Sequence, residues 1–277
     1  MTLSADQIAF FDTFGYLRLP GLLVDRIEAI IAAFHDIWDG QGGGHNGAQH
    51  DNRQRSCTVQ FIDRHPVLCA LLDDPRIHGI ACDLLGDDFN YMNSDGNFYS
   101  GDTGWHSDSS WLPGVRHLKM AFYLDPLTPE TGALRIIPGS HRVGDRYADQ
   151  LQAVLTGGPK PFGLHGSELP FASATVRPGD LLIFNHDTKH ASFGGGSRRR
   201  MFTVNLCQRY PEERLQELRD YVGEYARFWV ERNYGAIMVD TATPQRMRHL
   251  EQVMANDHHL AELSRRSRAA MREPART

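Results

Sequence analysis

Apolar residues at Val24, Ile27, Ile30, Ile31, Phe34, Ile37 and Trp38 recur at the three- and four-residue spacing of one helix face. That stripe predicts an amphipathic helix packed against a core. Ahead of it, Ser4-Ala-Asp-Gln7 reads as a capping box, with Leu3 and Ile8 placed as a hydrophobic staple. A short helix is therefore expected to run to Phe14 and stop at Gly15, a residue suited to a left-handed cap. Tyr16–Leu19 then reads as a short strand. Residues 39–56 lack any period and are rich in Gly, Asn and Gln, which predicts a mobile loop with His45 and His50 solvated. Another helix is expected over Pro66–Leu85, ending at Gly86.

From Asn90 to Tyr210 the texture changes. Short runs rich in β-branched and aromatic residues appear at Asn97–Tyr99, Leu118–Leu124, Ala133–Ile137, Ala174–Val176, Asp180–Phe184 and Met201–Leu206. Pro126, Pro129, Pro138-Gly139, Pro178-Gly179 and Gly194–Gly196 punctuate them. Many short strands with regular turns predict a sandwich or barrel, not alternating strands and helices. Beyond Pro211 the helical period returns at Leu215, Leu218, Val222, Tyr225 and Trp229, and Thr243-Pro244 marks a further helix start. No internal repeat is visible. The expectation is one domain over residues 1–277: a helical part at 1–88, a mainly β core at about 89–210 and a C-terminal helical extension at 211–277.

Composition narrows the functional classes. The chain of 277 residues is 41% hydrophobic and 23% charged, as ordinary globular proteins are. A net charge of -5 gives no electrostatic reason to expect a nucleic acid or an anionic membrane as partner. No apolar run approaches the ~18 residues of a membrane helix, and no secretion signal is seen. Cys57, Cys69, Cys82 and Cys207 form no CxxC pair, which fits a reducing, cytoplasmic setting. A small molecule is left as the expected partner.

The candidate chemistry lies in Gly101-Asp-Thr-Gly-Trp-His-Ser-Asp-Ser-Ser-Trp111, which places His106 two residues before Asp108. With 14 His and 23 Asp, chance alone yields about one His-x-Asp in this chain. The tripeptide gains meaning only from a distant third ligand, because two His and one carboxylate form the facial triad that leaves open positions on Fe(II). His190 is that candidate, with His186 as the alternative, and Arg200 follows ten residues after His190.

Four segments, in order, resemble the phytanoyl-CoA dioxygenase family of Fe(II)/2-oxoglutarate oxygenases, which includes ectoine hydroxylase. They are Phe11–Leu23, Trp105-His-Ser-Asp108, Thr131–Arg142, and Pro178–Phe184 followed by His190-Ala-Ser192 and Arg200. The resemblance implies a double-stranded β-helix, or jelly-roll, core. It implies Fe(II) on His106, Asp108 and His190, with O2 and 2-oxoglutarate consumed, succinate and CO2 released, and an unactivated C–H of a small metabolite hydroxylated or otherwise oxidised. It further implies Arg200 on the distal carboxylate of 2-oxoglutarate, with Ser192, Asn97 and Lys119 nearby. One of Arg198, Arg199 and Arg200 has to face the cosubstrate. Arg200 is in phase with Phe202, Val204 and Leu206 on an alternating strand, and the family pattern also selects it. Trp111 and Arg135 are candidate substrate contacts, while His141 reads as a turn residue. In the family, halogenation goes with loss of the metal carboxylate, so Asp108 points to hydroxylation. Two other readings remain: a zinc hydrolase on the same three ligands, and a non-catalytic jelly-roll binding module. The 39–56 loop and the C-terminal helices are the expected specificity elements, and those helices are also a candidate homodimer contact.

Overall fold

Ser4 caps the first helix, α1 (Ala5–Phe14), and its capping box with Gln7 forms as the sequence predicts. Gly15 ends α1 in the left-handed conformation at φ 81° and turns the chain into β1 (Tyr16–Leu19). A side chain at position 15 would also run into His141 and Thr188. The computed structural model describes residues 2–109, 114–156 and 160–277.

The amphipathic stripe becomes α2 (Ile27–Gly40), which buries Ile30, Phe34, Ile37 and Trp38. Val24 of the predicted stripe lies before the helix and is exposed. The 39–56 segment is tied down rather than loose. His45 bonds the carbonyls of Cys57 and Pro274, and His50 bonds Ser56 Oγ and the carbonyl of Ser197. Both imidazoles are buried. The segment leads into β2 (Ser56–Val59). The single helix expected over 66–85 is two, α3 (Pro66–Cys69) and α4 (Pro75–Leu85). Asp74 starts the second by accepting the N–H of Arg76, with Pro75 as its first residue.

The β core contains β3 (Phe89–Tyr99), β4 (Thr103–His106), β5 (His117–Tyr123), β6 (Leu134–Ile136), β7 (Ala172–Ala174), β8 (Leu181–Asn185), β9 (His190–Ser192) and β10 (Arg199–Gln208). Helix α5 (Arg146–Thr156) is inserted between β6 and β7. The larger sheet runs β1-β8-β5-β10-β3-β2 and the smaller β4-β9-β6-β7, with every pairing antiparallel. This is the jelly-roll arrangement, flanked by helices.

Alternate residues of the larger sheet enter two different cores. Leu118, Met120, Phe122, Leu181, Ile183, Phe202, Val204 and Leu206 join the cluster shared with the flanking helices. Ala121, Tyr123, Leu182, Phe184 and Met201 point the other way, towards the smaller sheet and its Leu134, Ile136 and Ala174. Both faces are covered, so these strands read as nearly continuous apolar runs instead of a clean alternation. Beyond β10 come α6 (Leu215–Gly223), α7 (Ala236–Asp240), α8 (Pro244–Arg248), α9 (Glu251–Met254) and α10 (Leu260–Ala270). Thr243 caps α8 as the sequence suggests. Leu218, Val222, Met238, Leu250, Val253 and Leu260 of this region join the helix-side cluster. Among the described residues, no helix is long and apolar enough to cross a membrane.

Candidate active site

His106 ends β4 and His190 begins β9, and the antiparallel register sets them directly opposite each other. Their ring centroids are 4.2 Å apart. Each ring is oriented by its own strand, with His106 Nδ1 2.8 Å from the carbonyl of Gly104 and His190 Nδ1 2.9 Å from that of Thr188. Since a carbonyl only accepts, both Nδ1 atoms carry the proton and both Nε2 lone pairs are free. Those Nε2 atoms face Asp108, at 3.9 Å from Oδ1 for His106 and 3.6 Å from Oδ2 for His190. The three ligand atoms lie within 4.8 Å of one another, a group fit to hold one metal ion. His190 is buried, and burial pushes its pKa down to about 3, which keeps the imidazole neutral and able to coordinate. The His106 side chain is 41% exposed, so the cluster opens on that side.

His186, the alternative ligand, turns away. Its Nε2 bonds Asn205 Oδ1, while its carbonyl accepts the N–H of Asp108 at 2.8 Å. It braces the carboxylate from behind through the backbone. Burial alone would raise the Asp108 pKa, but Lys119, His190, His186 and His106 outweigh it and hold the carboxyl well below its usual range. Lys119 Nζ is 2.8 Å from Asp108 Oδ2. Burial disfavours the charge on Lys119, yet Asp108 and Asp95 raise its pKa and keep it an ammonium.

A cavity of about 520 Å3 extends from this cluster between the two sheets. Arg199 and Ser192 also line it. Arg199 is buried, and its guanidinium donates to the carbonyls of Gly132 and Gly101 and to Ser192 Oγ, the last at 2.5 Å. Its buried Nε has no hydrogen-bond partner, and among the described residues no carboxylate pairs with it. A buried guanidinium in that state fits a bidentate anion such as a carboxylate.

Arg200, selected by strand phase, lies on the opposite face. It pairs with Asp125 at 2.6 Å and meets His35 of α2 at 2.9 Å. Strand phase alone predicts the apolar residues Phe202, Val204 and Leu206 to face into the barrel. They face the helix-side core, and the barrel-facing set is Arg199, Met201 and Thr203. Asn97 is buried and does not line the cavity; its Oδ1 accepts from Arg55 Nε at 2.7 Å and its Nδ2 donates to Asp95, so it reaches the site through those two residues. Arg135 is bound to the carbonyls of Ser167 and Pro129 and stacked on Phe171 and Phe193. Trp111 lies outside the described residues.

Sequence reasoning missed Arg55, which lines the cavity while stacked 4.4 Å over Tyr99 and paired with Asp95 at 3.0 Å. It also missed Tyr221, Tyr225 and Arg227. They line a smaller adjoining cavity of about 140 Å3 that shares Asp108 and Lys119 with the larger one. Tyr225 reads in the sequence only as part of an apolar helix stripe, and nothing local marks Tyr221 or Arg227, because the docking of α6 and the turn after it brings them there.

Fold and site define a non-haem iron- and 2-oxoglutarate-dependent dioxygenase. The phytanoyl-CoA dioxygenase family model matches residues 11–201, and the chain belongs to that family. The ectoine dioxygenase of Sphingopyxis alaskensis is 34% identical over 221 residues, covering 69% of this chain and 71% of that protein. That of Bordetella bronchiseptica is 27% identical over 215 residues, covering 69% and 70%. Among solved structures, the non-heme alpha ketoglutarate dependent carbocyclase SnoK from nogalamycin biosynthesis superposes with a TM-score of 0.59 at 25% identity, covering 74% of this chain and 84% of SnoK. EctD from S. alaskensis with bound Fe gives 0.56 at 25% identity, covering 74% and 77%.

Proposed function

We propose that the protein hydroxylates a C–H bond of a small polar metabolite. In this reading Fe(II) sits on His106, Asp108 and His190, and Arg199 with Ser192 receives the distal carboxylate of 2-oxoglutarate. The observation that carries the reading is that one cavity joins a three-ligand metal cluster to a buried guanidinium that has no carboxylate partner among the described residues. Bound iron, with O2 and 2-oxoglutarate, supplies the oxidation of an unactivated C–H, with succinate and CO2 as coproducts. The chain orients the two imidazoles through the Gly104 and Thr188 carbonyls and anchors the cosubstrate at Arg199 and Ser192. A zinc hydrolase on the same ligands would leave the Arg199–Ser192 pair without a role.

Substrate choice is read here as a property of this chain's own C-terminal region. Tyr221, Tyr225 and Arg227 line the adjoining cavity and lie beyond residue 201, where the family match ends. Ectoine is the first substrate to test, because the relatives carry that name. A panel of small polar metabolites should accompany it. The assay is succinate release from 2-oxoglutarate under air with Fe(II), with His106→Ala and Asp108→Ala as comparisons. Iron- and substrate-dependent succinate, lost in both variants, is the expected result. Absence of iron-dependent turnover with every compound would favour a binding module, and zinc-supported hydrolysis surviving Arg199→Ala would favour a hydrolase. Arg227→Ala is expected to raise the substrate KM while leaving that for 2-oxoglutarate within about threefold, as for a contact made to substrate alone.

A further inference from the structure

Asp108 lies in the turn after β4, and its backbone is held by the bond from its N–H to the His186 carbonyl. A carboxylate in such a turn can rotate, yet one oxygen has to meet a metal shared with two fixed imidazoles. Lys119 supplies what the turn lacks. It stands on β5 in the middle of the larger sheet, with Phe184 on one neighbouring strand and Asn205 on the other as its register partners. Its Nζ is 2.8 Å from Asp108 Oδ2, and each side chain is only 18% exposed. Beyond it, Asp95 pairs with Arg55 at 3.0 Å and bonds Thr203 of β10 and Asn97 of β3. Lys119, Arg55, Asp108 and Asp95 thus form an array of two cations and two carboxylates, neutral as a unit.

We infer that Lys119 is a positioning residue for the metal carboxylate: its ammonium takes Oδ2 of Asp108 and leaves Oδ1, on the His106 side, for the ion. The inference rests on reading His106, Asp108 and His190 as the metal ligands. It replaces the expectation that Lys119 approaches the cosubstrate. Carboxylates that bind metals are commonly fixed by such an outer partner, whose loss weakens metal affinity by roughly 10–100-fold.

Three roles for Lys119 differ in sign or in ligand. A lysine acting only as a nearby positive charge repels a dication, so its removal would tighten metal binding. A lysine that clamps Asp108 weakens metal binding when removed. One that binds the cosubstrate leaves metal affinity alone and weakens 2-oxoglutarate.

The test titrates wild type, Lys119→Met and Lys119→Arg with Co(II), then titrates 2-oxoglutarate into the Co(II)-loaded proteins under argon. For Lys119→Met the expected result is roughly 10–100-fold weaker Co(II) binding and an altered Co(II) visible band. Its 2-oxoglutarate affinity, measured at saturating Co(II), should stay within about threefold, and circular dichroism should be unchanged. Lys119→Arg, which restores a donor to Asp108, is expected to recover at least part of the Co(II) affinity. Unchanged or tighter Co(II) binding by Lys119→Met overturns the inference, as does a loss confined to 2-oxoglutarate. If Lys119→Met fails to fold, Lys119→Gln, which removes the charge but keeps a polar side chain, is read in its place: weaker Co(II) binding is expected, and unchanged or tighter binding overturns the inference. Failure of wild type itself to bind Co(II) would instead overturn the assignment of His106, Asp108 and His190 as metal ligands.

Discussion

Two adjacent arginines on β10 show how much depends on one residue of phase. Arg199 reaches the cavity and Arg200 the helix side, because successive strand residues point to opposite faces. Arg199→Ala is expected to raise the Kd for 2-oxoglutarate by about 10–100-fold, the scale of a lost hydrogen-bonded charge contact. Arg200→Ala should leave that Kd within about threefold. Its cost falls on folding, at about 1–3 kcal/mol, since Asp125 loses a charged hydrogen-bond partner. Calorimetric titration with 2-oxoglutarate and denaturant unfolding of both variants check the pair of outcomes. The reverse pattern would restore Arg200 as the cosubstrate residue. Candidate ligands from separate strands, by contrast, were legible one residue at a time: His106, Asp108 and His190 stand out by residue type and by the family motifs. Arg55 was not legible, because its neighbours are loop-like and its partners Asp95, Asn97 and Tyr99 lie about 40 positions later.

Among the elements, short-range signals held best where the chemistry is local. The capping box of α1 and the Thr243 cap of α8 form as read, since each needs only a few consecutive residues. The break between α3 and α4 was missed although Asp74-Pro75 carries it, because the apolar stripe runs through both. Gly15 links an element boundary to the site. Its carbonyl accepts the N–H of Asn185 and the hydroxyl of Thr188, and the Thr188 carbonyl in turn holds His190 Nδ1. Gly15→Ala is therefore expected to cost at least about 1 kcal/mol for the left-handed conformation, with more from the contacts at His141 and Thr188. It should also weaken Co(II) binding, because the turn that delivers His190 shifts. Unfolding and metal titration of the one variant read both effects. A loss of stability with metal affinity unchanged would show that the 185–190 turn is held by its other contacts.

For the molecule as a whole, buried histidines set the response to acid. Burial pushes His141 and His186 down to about 4 and His190 down to about 3. Between the ordinary value of 6.5 and those values, the unfolded chain binds protons that the folded chain does not. Stability is therefore fully present above 6.5 and falls as pH drops through that window. Asp63, raised to about 6 by burial, acts in the opposite sense between 3.8 and 6. Burial lowers His117, His78 and His249 as well and raises Asp187 alongside Asp63, so the lowered imidazoles outnumber the raised carboxyls, unfolding takes up protons, and the metal-free denaturation midpoint should fall from pH 7 to pH 4.5. A flat midpoint across that range would contradict the burial of these imidazoles. One apolar cluster joins Leu3 of the N-terminal segment, the β core and Leu260 of α10. On that basis the chain is proposed to be one domain, and a single cooperative transition by fluorescence and circular dichroism is the outcome expected of it.

By itself the sequence determined the parts whose physics is local or whose residue types are rare: the helix caps, the strand-and-turn texture from Asn90 to Tyr210, the three candidate metal ligands and the Ser192 hydroxyl. Tertiary structure decided which face of each strand looks into the barrel. That choice cannot be read from apolar alternation when both faces are covered by separate cores. It put Arg199 rather than Arg200 at the cavity, set Lys119 on Asp108, and carried Arg55, Tyr221 and Arg227 to the chamber wall. The reason is the same in each case: these side chains are placed by partners distant in sequence, and only the closed sheets bring those partners within bonding distance.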